Sequence, residues 1–172
     1  DRVELTKNIN PNIFREYDLR GIADEDLTED VAYTIGRSFG SYVLKDNNYK
    51  VVVGHDNRTT SPRIREALIK GLTESGVMYY FAKIYYNIYT GIMITASHNP
   101  KEYNGFKISF SEVGNAYGKL IEKFKDYTYE QNFSKGEGKV VNADIKKAYL
   151  ENLQTKIALK DRKVRVVVDC GN

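Results

Sequence analysis

Short β-branched runs alternate in this chain with longer stretches that repeat an apolar residue every fourth position. That alternation restricts the chain to an α/β layer architecture. Val51-Val52-Val53 is closed by Gly54, as a buried strand would be. Ile92–Thr95, Phe106–Phe110 and Val164–Val168 read the same way. Thr28 predicts an N-cap, followed by Glu29 and Asp30 at the positive end of a helix and a stripe of Val31, Ile35, Phe39 and Val43. Ser61-Pro62 opens a second helix with the stripe Ile64, Leu68 and Leu72, stopped by Ser75-Gly76. A third is expected over 116–130, with Leu120, Ile121 and Phe124 on its apolar side. A fourth is expected after a capping Asn142, carrying Ile145, Tyr149, Leu153 and Ile157. The expected fold is a layered α/β/α domain with a mostly parallel or mixed sheet of about four strands.

Lys135-Gly136-Glu137-Gly138 marks the exit from a first domain, expected to span residues 1–141. Residues 142–172 read as a connecting helix and the first strand of a truncated second domain. Composition narrows the function. Twenty-six basic and 23 acidic residues are interleaved for a net charge of +3, which argues against nucleic acid as a partner. A small anionic substrate needs only a few local cations and remains compatible. Cys170 is the sole cysteine, so no internal disulfide forms. No stretch is long and apolar enough to span a membrane, and residues 1–10 lack the order of a signal peptide, so a cytoplasmic location is expected.

Three polar clusters sit where strands hand over to loops. Gly91-Ile92-Met93-Ile94 runs into Thr95-Ala96-Ser97-His98-Asn99-Pro100, and that into Asn104-Gly105-Phe106-Lys107. Ser97, at a strand tip beside His98 and near Lys107, is a candidate for covalent chemistry. Its hydroxyl could accept and donate a phosphoryl group, stabilised by loop N–H groups and nearby cations. The alternative is a turn serine bonded to its own backbone. His98 could orient the serine or sit on the surface as an ordinary loop histidine. A metal site built on histidine is not expected, since His55 is the only other one. Lys107, partly desolvated at the start of a strand, could move protons, or could simply reach solvent from a strand edge.

The second cluster is Phe14-Arg15-Glu16-Tyr17-Asp18-Leu19-Arg20-Gly21, where Arg15 and Arg20 could grip phosphate oxygens. An ordinary charge run with internal pairing is the other reading. The third, Gly54 to Pro62, follows a strand and opens a helix, where α/β proteins carry ligand loops. Asp56 and Arg58 could pair there to brace the Ser97 loop, with the helix N-terminus favouring an anion.

Together these clusters resemble the α-D-phosphohexomutase family, most closely its bacterial phosphomannomutase/phosphoglucomutase type. The resemblance rests on FREYDLRG (14–21), VVVGHDNRTTSP (51–62), GIMITASHNPKEYNGFKI (91–108) and the closing VVVDCGN (166–172). It implies the first of four domains and a phosphoserine mechanism. Ser97 would give its phosphate to a hexose phosphate, form a hexose 1,6-bisphosphate and take the other phosphate back. By the same resemblance Lys107 is a general acid/base, Arg20 assists the transferring phosphate, Tyr17 and His98 help form the site, and Asn99 shapes the loop. Mg²⁺ would be held by the Ser97 phosphate and by three aspartates beyond Asn172. The missing domains II–IV would supply the sugar-specificity loop, so the 172 residues alone are expected to be inactive.

Phe106 before Lys107 fits the mannomutase/glucomutase pattern better than that of a phosphoglucosamine mutase. A non-catalytic phosphosugar-binding module would be expected to lose Ser97 or Lys107, and both are present. A serine hydrolase would place its nucleophile in Gly-x-Ser-x-Gly, which Thr-Ala-Ser-His-Asn is not. One stretch departs from the pattern. The family carries a strand and a Thr-Pro loop where Val77 here runs straight into Met78-Tyr79-Tyr80-Phe81-Ala82. Residues between Val77 and Met78 are therefore expected to be missing from this sequence.

Overall fold

Six strands form one mixed sheet in the computed structural model, which describes residues 2–80, 88–111, 114–142, 145–158, 160–161 and 163–169. The strands are β1 (Leu19–Ile22), β2 (Lys50–His55), β3 (Met78–Tyr80), β4 (Gly91–Ile94), β5 (Tyr103–Ser109) and β6 (Val140–Val141), in spatial order β1-β5-β4-β2-β3-β6. β4, β2, β3 and β6 run parallel; β5 is antiparallel to both β4 and β1. The expected α/β class with a mixed sheet is what forms. β1 and the two-residue β6 join the sheet without an apolar run of their own long enough to announce them. Val52 and Val53 of β2 face Gly91 and Ile92 of β4, so buried β-branched chains sit side by side.

Helix α1 (Glu29–Leu44) begins where Thr28 accepts a hydrogen bond from the Val31 N–H at 3.3 Å. Its apolar stripe is buried, and so are Thr34, Arg37, Ser38 and Ser41. The sequence shows one apolar face; the helix is in fact enclosed nearly all round. Glycines explain the closeness on one side: a Cβ on Gly36 would stand 2.3 Å from the Leu68 carbonyl oxygen of α2 (Ser61–Glu74). On another side the Ser38 hydroxyl meets that of Thr128, 2.7 Å away on α3 (Lys119–Glu130). Phe39 stacks on Phe110 with ring centroids 5.3 Å apart, beside fully buried Phe106 and Phe124.

Several expected boundaries move. The third helix starts at Lys119, because Gly118 takes a φ of 53° outside it. Ala116 is buried ahead of that helix, and Leu120 is exposed rather than part of the apolar side. The fourth helix, α4 (Lys146–Lys156), starts after Ile145, so Asn142 is not its cap, and it buries no residue. Val164–Val168 forms no strand, and Val167 is 98% exposed. Its composition suits a strand, but a ladder needs a neighbour, and none pairs with it among the described residues. Met78–Tyr80, the segment that by resemblance follows a further strand, itself pairs with Lys50–Val52 of β2. Phe81-Ala82 and Cys170-Gly171-Asn172 lie outside the described residues.

Candidate active site

Two neighbouring parallel strands set the position of the site. The register pairs His55 of β2 with Ile94 of β4, so the loops that leave these strands emerge together. The Asp56 N–H donates to the Ile94 carbonyl at 3.0 Å, which places Asp56 against the root of the Ser97 loop. Ser97 is exposed and holds a φ of 56°, a left-handed backbone unusual for a residue with a Cβ. Such strain persists only where the surroundings enforce it.

Arg58 does the enforcing. One terminal nitrogen donates to the carbonyls of Pro100 (2.7 Å) and Tyr103 (3.2 Å), the other to those of Asn99 (2.7 Å) and Ser97 (3.2 Å). The planar five-donor guanidinium suits this four-carbonyl span. Its Nε donates to Asp56 Oδ2 at 3.2 Å. Asp56 also accepts from the Arg58 N–H and from the Ser61 hydroxyl. Burial alone would push the Asp56 carboxyl up. Hydrogen bonds from Ser61, Thr95 and the Arg58 N–H, with the Arg58 charge, outweigh it and hold the carboxyl below the usual range. Thr95 in turn accepts from the Ser97 N–H at 3.0 Å, so the brace reaches the serine itself.

The other wall comes from β1 and β5. Arg20 donates through one terminal nitrogen to Asn99 in the serine loop and through the other to Asp18. Lys107 donates from Nζ to the same Asp18 oxygen at 3.2 Å. A continuous path therefore runs from the loop through Asn99, Arg20 and Asp18 to Lys107. Lys107 does not stand alone among apolar neighbours; it is one of two cations on a buried carboxylate. His98 is exposed, with Nδ1 3.5 Å from the Ser97 hydroxyl.

Ser97, His98, Asn99, Arg20, Lys107, Asp56 and Arg58 thus form one connected set. Tyr17 and Arg15 do not join it: both are exposed, and among the described residues no hydrogen bond or ion pair links either side chain to the loop. Asp18 and Asn104 are the connecting residues that sequence reasoning missed. Asn104, fully buried, donates to Thr60 and Ser61 and accepts from the Gly105 N–H, tying β5 to the start of α2. Asp18 had a readable signal: it is an acid two residues before Arg20, close enough in the chain for the two side chains to pair.

Among the described residues no group of three His, Cys, Asp or Glu side chains could hold a metal. His55 is engaged with the Asp56 carbonyl and with Arg65. These residues by themselves do not build a Mg²⁺ site. No helix among the described residues is long and apolar enough to cross a membrane.

The arrangement can be set beside known proteins. The model of the family described as phosphoglucomutase/phosphomannomutase, alpha/beta/alpha domain I, matches residues 11–135. A phosphomannomutase/phosphoglucomutase of Pseudomonas syringae pv. tomato is 37% identical over 93% of this chain and 36% of its own length. A phosphoglucomutase of Neisseria gonorrhoeae is 33% identical over 96% of this chain and 38% of its own. The crystal structure of a Burkholderia thailandensis phosphoglucomutase/phosphomannomutase family protein superposes with a TM-score of 0.80 at 31% identity, covering 88% of this chain and 37% of that one. The chain thus spans little more than a third of the length of these relatives. With the fold and the matched segment in agreement, the chain belongs to the phosphoglucomutase/phosphomannomutase family, whose alpha/beta/alpha domain I it carries.

Proposed function

We propose that this chain supplies the phosphoryl-carrying part of a hexose-phosphate mutase that interconverts hexose 6-phosphate and hexose 1-phosphate. The observation that carries the reading is the serine loop itself. An exposed hydroxyl is held in a left-handed backbone by one arginine on four carbonyls, with a second arginine and a lysine anchored alongside. Phosphoryl transfer asks for an in-line nucleophile and concentrated positive charge, and little else.

In this reading Ser97 rests as a phosphoserine. A hydroxyl of the bound hexose phosphate attacks its phosphorus; the new O–P bond forms as the bond to Ser97 Oγ breaks. Lys107 gives a proton to the departing Oγ and recovers one from the attacking hydroxyl, so the proton count closes. The hexose 1,6-bisphosphate then presents its other phosphate, and the same steps run backward to regenerate phosphoserine. Arg20 stabilises the equatorial oxygens in transit, and Asp56 and Arg58 keep the loop in place. Mg²⁺, bound by the Ser97 phosphate with ligands from outside these residues, belongs to the longer protein in which we place this domain. Residues 1–141 would be its first domain and 142–172 the entry to its second, in the cytoplasm, with mannose or glucose phosphate as substrate.

Incubating phosphatase-treated protein with glucose 1,6-bisphosphate tests the second half-reaction, in which the bisphosphate returns a phosphate to Ser97. Intact mass should rise by one phosphate, located on Ser97, and the Ser97→Ala protein should gain none. An unchanged mass for the wild type in the complete enzyme, or full turnover by Ser97→Ala, would overturn the reading.

A further inference from the structure

We infer that Asp18 is a positioning residue for the transfer: one buried carboxylate oxygen sets the places of both Lys107 and Arg20 relative to the serine loop. The inference rests on the mutase reading above and adds to it a residue with no role there. β1 and β5 pair antiparallel with Leu19 opposite Phe106 and Arg20 opposite Gly105. Asp18 comes just before Leu19 and Lys107 just after Phe106, so the two meet at the end of this ladder. Asp18 immediately precedes β1, two residues before Arg20, and its carboxylate is reached by Arg20 from β1 and by Lys107 from β5. Asp18 Oδ2 accepts from both cations, 3.2 Å from Lys107 Nζ, and its side chain is only 6% exposed.

Neither cation has another carboxylate among the described ion pairs. The other terminal nitrogen of Arg20 goes to Asn99, while its Nε is buried with no partner. Lys107 is about a third exposed on a flexible stem, and a lysine held by a single contact keeps its place only while that contact lasts. Without the Asp18 charge the two cations repel each other across the ladder and Lys107 swings toward solvent. The backbone fixes Asp18 in advance: the Arg15 N–H donates to the Asp18 carbonyl at 2.9 Å, and Phe14 bridges Leu19.

The test has two arms. Asp18→Asn keeps the shape and removes the charge. In the complete enzyme kcat for hexose phosphate should fall about a hundredfold, as expected for a displaced catalytic group, while KM stays within about twofold. In the present chain, NMR of the lysine ammonium groups should show a slowly exchanging Lys107 signal that Asp18→Asn loses. Asp18→Glu restores the charge one methylene further out; it should recover the Lys107 signal and only part of kcat. It also carries the test if Asp18→Asn does not fold. Wild-type kcat in the folded Asp18→Asn or Asp18→Glu enzyme, or an unchanged Lys107 signal in Asp18→Asn, overturns this inference alone. A wild-type enzyme that turns over no hexose phosphate overturns the mutase reading, and this inference with it.

Discussion

Arg58 and Asp56 make the serine loop a fixed object rather than a flexible one. Charge-assisted hydrogen bonds to loop carbonyls are strong only if the arginine is itself held, and Asp56 does that from a half-buried position. The chain of contacts from Asp56 through Thr95 to the Ser97 N–H means that a proton on Asp56 would loosen the serine loop. The sign of the pH effect follows. Asp56 titrates lower in the fold than in the unfolded chain, so it contributes stability above the unfolded carboxyl pKa of about 4, and that contribution is lost as pH falls through the folded value. Asp56→Asn should therefore melt well below wild type at pH 7. The two melting temperatures should approach each other as the pH is lowered through the acid range. A gap independent of pH would show that the carboxylate charge is not what braces the loop.

At the scale of elements, β5 is the strand on which the site depends. It joins β4, which leads into the Ser97 loop, to β1, which follows Asp18 and carries Arg20, and it carries Lys107 itself. Gly105 makes this possible. A Cβ there would stand 2.3 Å from the Leu19 carbonyl oxygen and 3.0 Å from that of Thr95, both backbone atoms that cannot step aside. Gly105→Ala should thus push β1 away from β5, destabilising the protein by about 3 kcal/mol. It should also separate Arg20 from Lys107 in chemical-shift perturbation spectra. Calorimetry showing a loss below about 0.5 kcal/mol would mean that the ladder yields without cost. Sequence reading found β2, β4 and β5 because each carries its own apolar run. β1 escaped it because Leu19-Arg20-Gly21-Ile22 has two apolar residues, and its strand state is decided by β5. The same limit hid Asp18. Charge order along Phe14–Gly21 shows that pairing can occur, but only the cross-strand register shows that Lys107, 89 residues away, is the second partner.

Across the whole molecule, the packed core and the C-terminal stretch behave as separate things. The buried residues run from Ile9 to Thr128 and gather on α1, α2, α3 and the sheet. Beyond Val141 nothing described is buried. Helix periodicity and a valine run were legible there, yet what they pack against was not, because burial is set by neighbours and not by composition. Tyr149, Leu150, Ile157 and Val164 are all exposed, so removing them strips little contact from the core. A protein ending at Val141, which keeps β6 beside β3, should therefore melt within about 2 °C of the 172-residue chain. Limited trypsin digestion should tell the same story, cutting first at the exposed Lys146, Lys147 or Lys156 and leaving a resistant product that starts upstream of Ser97. A large fall in melting temperature on truncation would place α4 in the core and overturn the proposed boundary at residue 141.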